Sequence, residues 1–399
     1  MSKRHRIVIA GAGGMGSAVA LLLRELGDFD ADIYLGDANP MRARSAAAWV
    51  REGSTRPGAV EAFPLPAQGS SPEFERLLSA GDLLLDCLPG SEAPRLARLA
   101  RQHHLHYSNL TEHVRETDEV EAIAAGAPQG FLLQTGLAPG FVDVLAHGQV
   151  QRFCAEHAVE RVDGVAMRVG ALTTTARPPH YYGFTWSSIG VAVEYVEPAT
   201  VLRDFRRTTL PSLSDVAPIV IQGVRYEEAL TSGGAADLPA VLEGRVRHLD
   251  YKTLRYPGHY DWVKSLLASA PPGSDRTEYL QREMERAVPF VEDDLVVIYS
   301  AVEGRGADGL LRRVESSFRI EPLRVGARQL KAIQATTAAG LAESARLLLG
   351  GEIQGVCHQS QIDPAKFMAG PFVGAVYLGA SATAVTGTAP VASVAALRA

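Results

Sequence analysis

The stretch RIVIAGAGGMGSAVALLLREL, residues 6–26, decides the fold. Its first half is a short apolar run that ends on a glycine, as a buried strand does. Its second half, from Ser17, is a helix built from strong helix formers. Between them Gly11, Gly13 and Gly16 match the spacing G-x-G-x-x-G. Each glycine has its own reason: Gly11 permits the tight turn, Gly13 lets a phosphate approach the backbone, and Gly16 lets helix and strand pack closely. The helix that follows would aim free N–H groups and its positive dipole end at a pyrophosphate, with Gly14 and Met15 of the loop as further candidate cofactor contacts.

Reading outward, the next strand, DIYLGD, ends on Asp37, and 37 − 16 places that acid 21 residues after the last loop glycine. A carboxylate about 20 residues on is where a dinucleotide's ribose hydroxyls are held. It repels a 2′-phosphate and so favours NAD, while Arg42 and Arg44 leave NADP open. The competing reading is a sheet-edge turn with a chance aspartate. Strand and helix keep alternating through DLLLDCLPG (82–90), a helix over APRLARLARQHH, HYSNL (106–110), a helix over 112–125 and GFLLQTG (130–136). Ser71, Pro72 and Glu73 read as the cap and first turn of a helix. Nearly continuous apolar strands followed by helices predict a doubly wound, Rossmann-type parallel sheet covered on both faces. Leu88 and Pro89 end the fourth strand at the carboxyl edge, where ligands lie in such folds.

After residue 136 the rhythm changes. GVAMRVGAL (164–172), DLVVIYSAVEG (294–304) and LRRVESSFRIEPL (311–323) are strands, the last two joined by the turn RGADG. In the last, Val314, Ser316 and Phe318 alternate with Glu315, Ser317 and Arg319, so one face is buried and the other wet or covered by a partner. We expect an inserted α+β substrate and dimerisation domain over 137–330, with a long helix from 331 returning to the first domain. The 399 residues suit two domains. With 39 Lys and Arg against 45 Asp and Glu there is no basic stripe for nucleic acid. Three widely spaced cysteines match no zinc site and fit a reducing cytoplasm. From Phe367 to Leu397 no residue is charged. Pro371, Pro390 and many small residues argue for a buried or subunit-contacting segment with a loose end rather than a bilayer span.

The corner LDYKTLRYPGHYDW, residues 249–262, crowds Lys252, Arg255, Tyr256, His259, Tyr260 and Trp262 around a Pro-Gly turn. Together with QTGLAPGFVDVLA (134–146), LPSLSDVAPI (210–219), ALTSGGAADLPAVL (229–242) and QATTAAG (334–340), it resembles the saccharopine dehydrogenase family, and within it the lysine 6-dehydrogenase branch. The resemblance spans about residues 6–365. It implies an NAD(P)-dependent enzyme that oxidises a carbon–nitrogen bond in an amino acid, a homodimer made through an open sheet, and cofactor contacts at Gly136 and Leu137. The 249–259 phrase leans towards lysine, and YYGFTWSSIGVAVEY (181–195) towards saccharopine-type secondary amines.

The chemistry sets a demand. Hydride leaves carbon only when the nitrogen offers a lone pair, and deprotonating an ammonium of pKa about 10.4 at pH 7 costs about 4.6 kcal/mol. His259 is the candidate base, with Lys252, Tyr256 and Tyr260 as relays. Arg255, as a planar double donor, and Lys252, as a compact cation, suit a substrate carboxylate. Tyr182, Trp186, Glu194 and the turn Thr231, Ser232, Gly233 are further candidates for substrate contact. Tyr260 and Lys264 stand at the Y-x-x-x-K spacing of short-chain dehydrogenases, but far outside the nucleotide-binding segment. His103, His104 and His106 lack a neighbouring acid, and no metal is expected. The rival reading is a catalytically silent NAD(P)-binding sensor or scaffold.

Overall fold

The computed structural model describes residues 4–111, 114–379 and 382–390. From the amino end run β1 (His5–Ala10), α1 (Gly14–Leu26), β2 (Ala31–Asp37), α2 (Pro40–Gly53), β3 (Val60–Pro64), α3 (Pro72–Ser79), β4 (Leu83–Asp86), α4 (Ala93–Gln102), β5 (His106–Asn109), α5 (Val114–Ala124) and β6 (Gly130–Leu132). The first two residues expected in α5, 112 and 113, lie outside the described residues. Local chemistry starts α3 where the sequence suggests, and caps α2 in the same way. Ser71 Oγ accepts the N–H of Phe74 at 3.3 Å, and Asn39 Oδ1 accepts those of Met41 and Arg42 at 3.0 and 3.3 Å.

The chain continues through α6 (Phe141–His157), β7 (Val162–Thr173), α7 (Ser188–Val196), β8 (Ala199–Arg203), β9 (Arg206–Leu210), β10 (Ala217–Ile221), β11 (Val224–Leu230), α8 (Leu238–Val241), β12 (Val246–Arg255), α9 (His259–Ala268), α10 (Arg276–Ala287), β13 (Asp294–Arg305) and β14 (Leu311–Ile320). A small hairpin, β15 (Leu323–Val325) and β16 (Arg328–Leu330), precedes α11 (Ala332–Leu349), β17 (Gly355–Cys357), α12 (Pro364–Met368), α13 (Pro371–Tyr377) and β18 (Ala382–Pro390).

Two compact units result, one reaching to Phe141 and resuming at Pro322, the other Val142–Glu321 with β18. The sequence reading put these crossings at 136/137 and 330/331 and treated 366–399 as a separate tail. Here α12 and α13 belong to the first unit, and the residues beyond 390 lie outside the described residues. Among the described residues no helix is long and apolar enough to cross a membrane.

The first unit is a parallel sheet in the order β17-β6-β5-β4-β1-β2-β3. Ile7, Val8 and Ile9 in β1 and Leu83, Leu84 and Leu85 in β4 are all fully buried, as helices on both faces require. The strand order reverses beside β1, so the carboxyl ends of β1 and β4 flank the crevice where such sheets hold ligands.

The second unit is a mixed sheet in the order β10-β11-β12-β7-β13-β14-β18, with β8 and β9 attached to β12. Only the β12–β7 pair in this order is parallel. The β13–β14 hairpin forms as the turn signal predicts, with Val314, Ser316 and Phe318 buried. Its other face is partly covered from within the same chain. Gln222, in the β10–β11 turn, donates Nε2 to Ser317 Oγ at 3.1 Å and to the Thr383 carbonyl at 3.2 Å. The sheet therefore curls until its two ends meet around Leu172, Tyr226, Leu254, Leu295 and Val297. Helices α7, α9 and α10 bury a second core that holds Tyr182, Phe184, Tyr195, Tyr260 and Leu280.

Within the first unit α11 approaches the turn after β6 through Gly340. A β-carbon there would lie 2.3 Å from the Gly136 carbonyl oxygen. Gly374 in α13 has nothing within 4 Å of the same position. Alanine in a helix gains about 1 kcal/mol over glycine, whereas overpacking costs about 1–3 kcal/mol. Chemical denaturation is thus expected to show Gly340→Ala destabilised and Gly374→Ala stabilised. The same sign for both would contradict the close approach.

Candidate active site

The glycine turn of the first unit has the shape its sequence requires. Gly11 has φ +101°, and a β-carbon on it would lie 2.7 Å from the Cys87 carbonyl oxygen. One on Gly16 would lie 1.9 Å from the Gly11 carbonyl oxygen, so these two glycines serve packing. At Gly13 the same carbon meets nothing within 4 Å, which leaves room for a phosphate against the backbone. Gly14 and Met15 open α1 immediately beyond. A cavity of about 470 Å³ adjoins this turn, lined among others by Gly13, Gly14, Arg42, Ser45 and Trp49.

Asp37 lies at the carboxyl end of β2, as expected, and is nearly buried. Its carboxylate accepts the N–H of Asn39 at 2.9 Å and of Ala12 at 3.3 Å, and Arg42 Nη1 approaches to 3.7 Å. Two fixed N–H groups hold the acid beside the phosphate turn, where a ribose would reach it. These residues fit a dinucleotide. Burial pushes the Cys87 thiol up, which suits a packed side chain rather than a nucleophile. Leu88 and Pro89 follow β4, and Gly136 and Leu137 pair with Gly140 in the turn after β6. Both turns stand at the carboxyl edge of the sheet.

In the second unit the carboxyl end of β12 delivers Arg255 into the core under α7 and α9. Its Nε donates to Tyr195 Oη at 2.6 Å and its Nη1 to the Leu254 carbonyl at 2.9 Å. The guanidinium stacks 4.7 Å from the Tyr182 ring centroid and 5.6 Å from that of Tyr195. Among the described residues no carboxylate pairs with it. The next link is His259, at the start of α9. Its Nδ1 lies 2.7 Å from the His180 carbonyl, which can only accept, so Nδ1 carries the proton. Nε2 is then the acceptor for the Tyr195 hydroxyl at 3.0 Å. Protons thus point in one direction, from Arg255 to Tyr195 to His259 to the backbone.

The structure separates the candidates at the corner. Along β12 side chains alternate, so Arg255 shares a face with Tyr251 and Thr253, whereas Lys252 and Tyr256 point the other way. Lys252 is buried in an ion pair with Glu228 at 3.0 Å and donates to the Asp215 carbonyl at 2.7 Å. Glu228 also pairs with Arg168, which holds Asp250 at 2.7 Å. Tyr256 stacks on Tyr226 with centroids 5.7 Å apart.

Around Arg255 gather Tyr182, Glu194 and His259, with Trp186 half-buried against the same core. Thr231 Oγ1 meets Thr253 Oγ1 at 2.7 Å, and the Ser232 N–H donates to the Glu194 carbonyl at 3.0 Å. Gly233, the next residue in the turn after β11, has φ +85°. Tyr195, the hub, was not singled out by sequence, although it adjoins Glu194 and ends a stretch quoted there. Tyr260 donates to the Thr253 carbonyl at 2.5 Å, while Lys264 is exposed. No group of three metal-ligating side chains occurs among the described residues.

Burial, and then the charge of Arg255, lowers His259 to about 3. An unfolded histidine titrates near 6.5, so on acidification the unfolded chain binds the proton first. The stability that neutral His259 contributes is full above about pH 6.5 and is lost as pH falls towards 3. Urea midpoints measured from pH 7.5 to 5 are expected to fall more steeply for the wild type than for His259→Gln. Equal slopes would refute the buried neutral ring.

Comparison with known proteins agrees with this fold. The saccharopine dehydrogenase NADP binding domain matches residues 7–132, and the saccharopine dehydrogenase C-terminal domain matches residues 136–376. Apo saccharopine dehydrogenase (L-Glu forming) of Saccharomyces cerevisiae superposes with a TM-score of 0.73 at 15% identity, over 96% of this chain and 100% of that one. Homospermidine synthase of Legionella pneumophila, solved in complex with NAD, superposes with a TM-score of 0.66 at 13% identity, over 98% of this chain and 92% of that one. At such identities the two structures speak for the fold, and the domain matches speak for the lineage. The protein belongs to the saccharopine dehydrogenase family of NAD(P)-binding oxidoreductases.

Proposed function

We propose that the protein transfers hydride between a nicotinamide cofactor and the carbon of a C–N bond in an amino acid, either the ε-amine of lysine or a secondary amine of the saccharopine type. The observation that carries this reading is Arg255, a buried guanidinium without a carboxylate partner among the described residues. A buried charge is costly unless paired, and a carboxylate is the group that pairs with a guanidinium through two parallel hydrogen bonds. Glu194, buried near Arg255 and close enough to influence its charge, supplies the opposite sign for an ammonium. One cation and one anion in a single cluster suit an amino acid. They do not suit a polyamine, which brings only positive charge.

When bound, the cofactor supplies or accepts the hydride. The chain's own part is to hold and orient. Arg255 takes the carboxylate, Glu194 draws the ammonium, and Tyr182 and Trp186 wall the site. Loss of water around the amine lowers the cost of its neutral form. Tyr195 and His259 act by fixing the plane of the guanidinium, since neutral His259 already spends its lone pair on the tyrosine. Asp37 favours NAD, and Arg42 at 3.7 Å from it supplies the positive charge an NADP-binding protein needs.

The test is a panel of lysine, saccharopine and related diamino acids with NAD and NADP, followed by nucleotide absorbance. Turnover of at least one amino acid is expected, with 1,4-diaminobutane at least 100-fold poorer in kcat/KM. Arg255→Lys is expected to raise KM for the amino acid about 10- to 100-fold while leaving the dissociation constant for reduced cofactor unchanged. Glu194→Gln provides a second probe whose volume barely changes. No turnover of any amine, or full activity in both variants, would overturn the reading and leave a cofactor-binding sensor in its place.

A further inference from the structure

Asp86 closes β4 at the carboxyl edge of the parallel sheet and is only 3% exposed. Its Oδ1 accepts the N–H of Leu88 at 2.9 Å, and its Oδ2 accepts the hydroxyl of Tyr107, from the neighbouring strand, at 2.9 Å. Tyr107 Oη in turn accepts from Asn109 Nδ2 at 3.4 Å and lies 3.3 Å from the carbonyl of Ala93, the first residue of α4. Asn109 Oδ1 accepts the N–H of Gln134 at 2.9 Å. One chain of hydrogen bonds therefore ties the turns that follow β4, β5 and β6. The first and last of these carry Leu88, Pro89, Gly136 and Leu137, assigned above to the cofactor.

Among the described residues, the charged and titratable groups facing Asp86 are few. Tyr107 comes from β5, Cys87 from its own strand end, and Arg95 and Glu92 from α4 and the turn before it. Arg95 is paired with Glu92 at 2.7 Å and acts on Asp86 only through its charge, so among the described residues no cation forms an ion pair with Asp86. The single tyrosine proton has two acceptors within reach. With Asp86 ionised it points at Oδ2. With Asp86 protonated, the acid donates to Tyr107 Oη and the tyrosine proton turns to the Ala93 carbonyl. Both arrangements satisfy the same atoms with no backbone movement, so the cluster is built to hold either charge.

We propose that Asp86 is a positioning residue whose ionisation, accommodated by Tyr107, biases the cofactor site towards the oxidised, cationic nicotinamide over the reduced, neutral one. This rests on the cofactor reading of the β4 edge. A positive ring favours the carboxylate, and by reciprocity the carboxylate favours that ring. Burial raises Asp86 to about 7, partly offset by the hydrogen bonds from Leu88 and Tyr107, so the change of charge falls in the working range of pH. The sign follows: affinity for the oxidised form rises as pH rises through about 7, and that for the reduced form stays level.

Calorimetric titration of the full chain tests this, using NAD⁺ and NADP⁺ and the reduced form of whichever binds more tightly. Titrations at pH 6 and pH 8, in two buffers of different ionisation enthalpy, read both affinity and proton release. The wild type is expected to change its oxidised-to-reduced affinity ratio about fivefold or more and to release protons on binding the oxidised form near pH 7. Asp86→Asn, which keeps an acceptor for Leu88, is expected to show a flat ratio, and any 2′-phosphate titration will appear equally in both proteins. Tyr107→Phe removes a donor to the carboxylate and is expected to move the midpoint to higher pH. A flat wild-type ratio, an unchanged slope in Asp86→Asn, or an unmoved midpoint in Tyr107→Phe overturns the proposal. Absence of any dinucleotide binding would instead overturn the cofactor reading beneath it.

Discussion

A guanidinium lodged in a protein core must be answered by its surroundings, and Arg255 sets this constraint for the whole second unit. Its own strand carbonyl, the Tyr195 hydroxyl and the faces of two tyrosine rings answer part of the charge. None of these is an anion. The acid whose charge reaches the guanidinium from the same cluster is Glu194 of α7. His259 fits that arrangement as a fixed point. Its neutral ring accepts from Tyr195 and donates to the backbone, so the tyrosine hydroxyl has one orientation and the guanidinium one plane.

The opposite face of the same strand solves a similar problem differently. Lys252, Arg168 and Arg203 face Glu228, Asp250 and Asp215 in a continuous network of ion pairs. There every cation has its acid, and the result is a cross-brace between β7, β8, β11 and β12 rather than a site. Lys252 and Arg255 stand three positions apart, yet among the described residues one has a carboxylate partner and the other does not. The carboxyl edge of the first unit shows a third solution, in which Asp86 has hydrogen bonds but no ion-pair partner among the described residues, and the Tyr107 proton has two acceptors within reach.

Local pattern made much of the first unit legible. The glycine spacing, the acid at position 37 and the helix cap at Ser71 act over a few residues or one βα unit, so the chain states them directly. The β13–β14 hairpin was legible for the same reason. The corner at 249–262 was read correctly as unusual and less well as geometry. Taken as a turn, it made Lys252, Arg255, Tyr256 and His259 neighbours. Read as a strand through Arg255, its alternation already assigns Lys252 and Tyr256 to the face away from Arg255.

Other features had no local signal. Tyr195 lies 64 residues from His259 and 60 from Arg255, and nothing in its own helix marks it as their link. The closure of the second sheet by Gln222 joins residues 95 and 161 positions apart. By itself, then, the sequence determined the nucleotide-binding half and the lineage, because backbone turns and amphipathic periods are short-range properties. Tertiary structure alone decided which buried charges are paired, since pairing depends on which distant strands and helices come to share an interior.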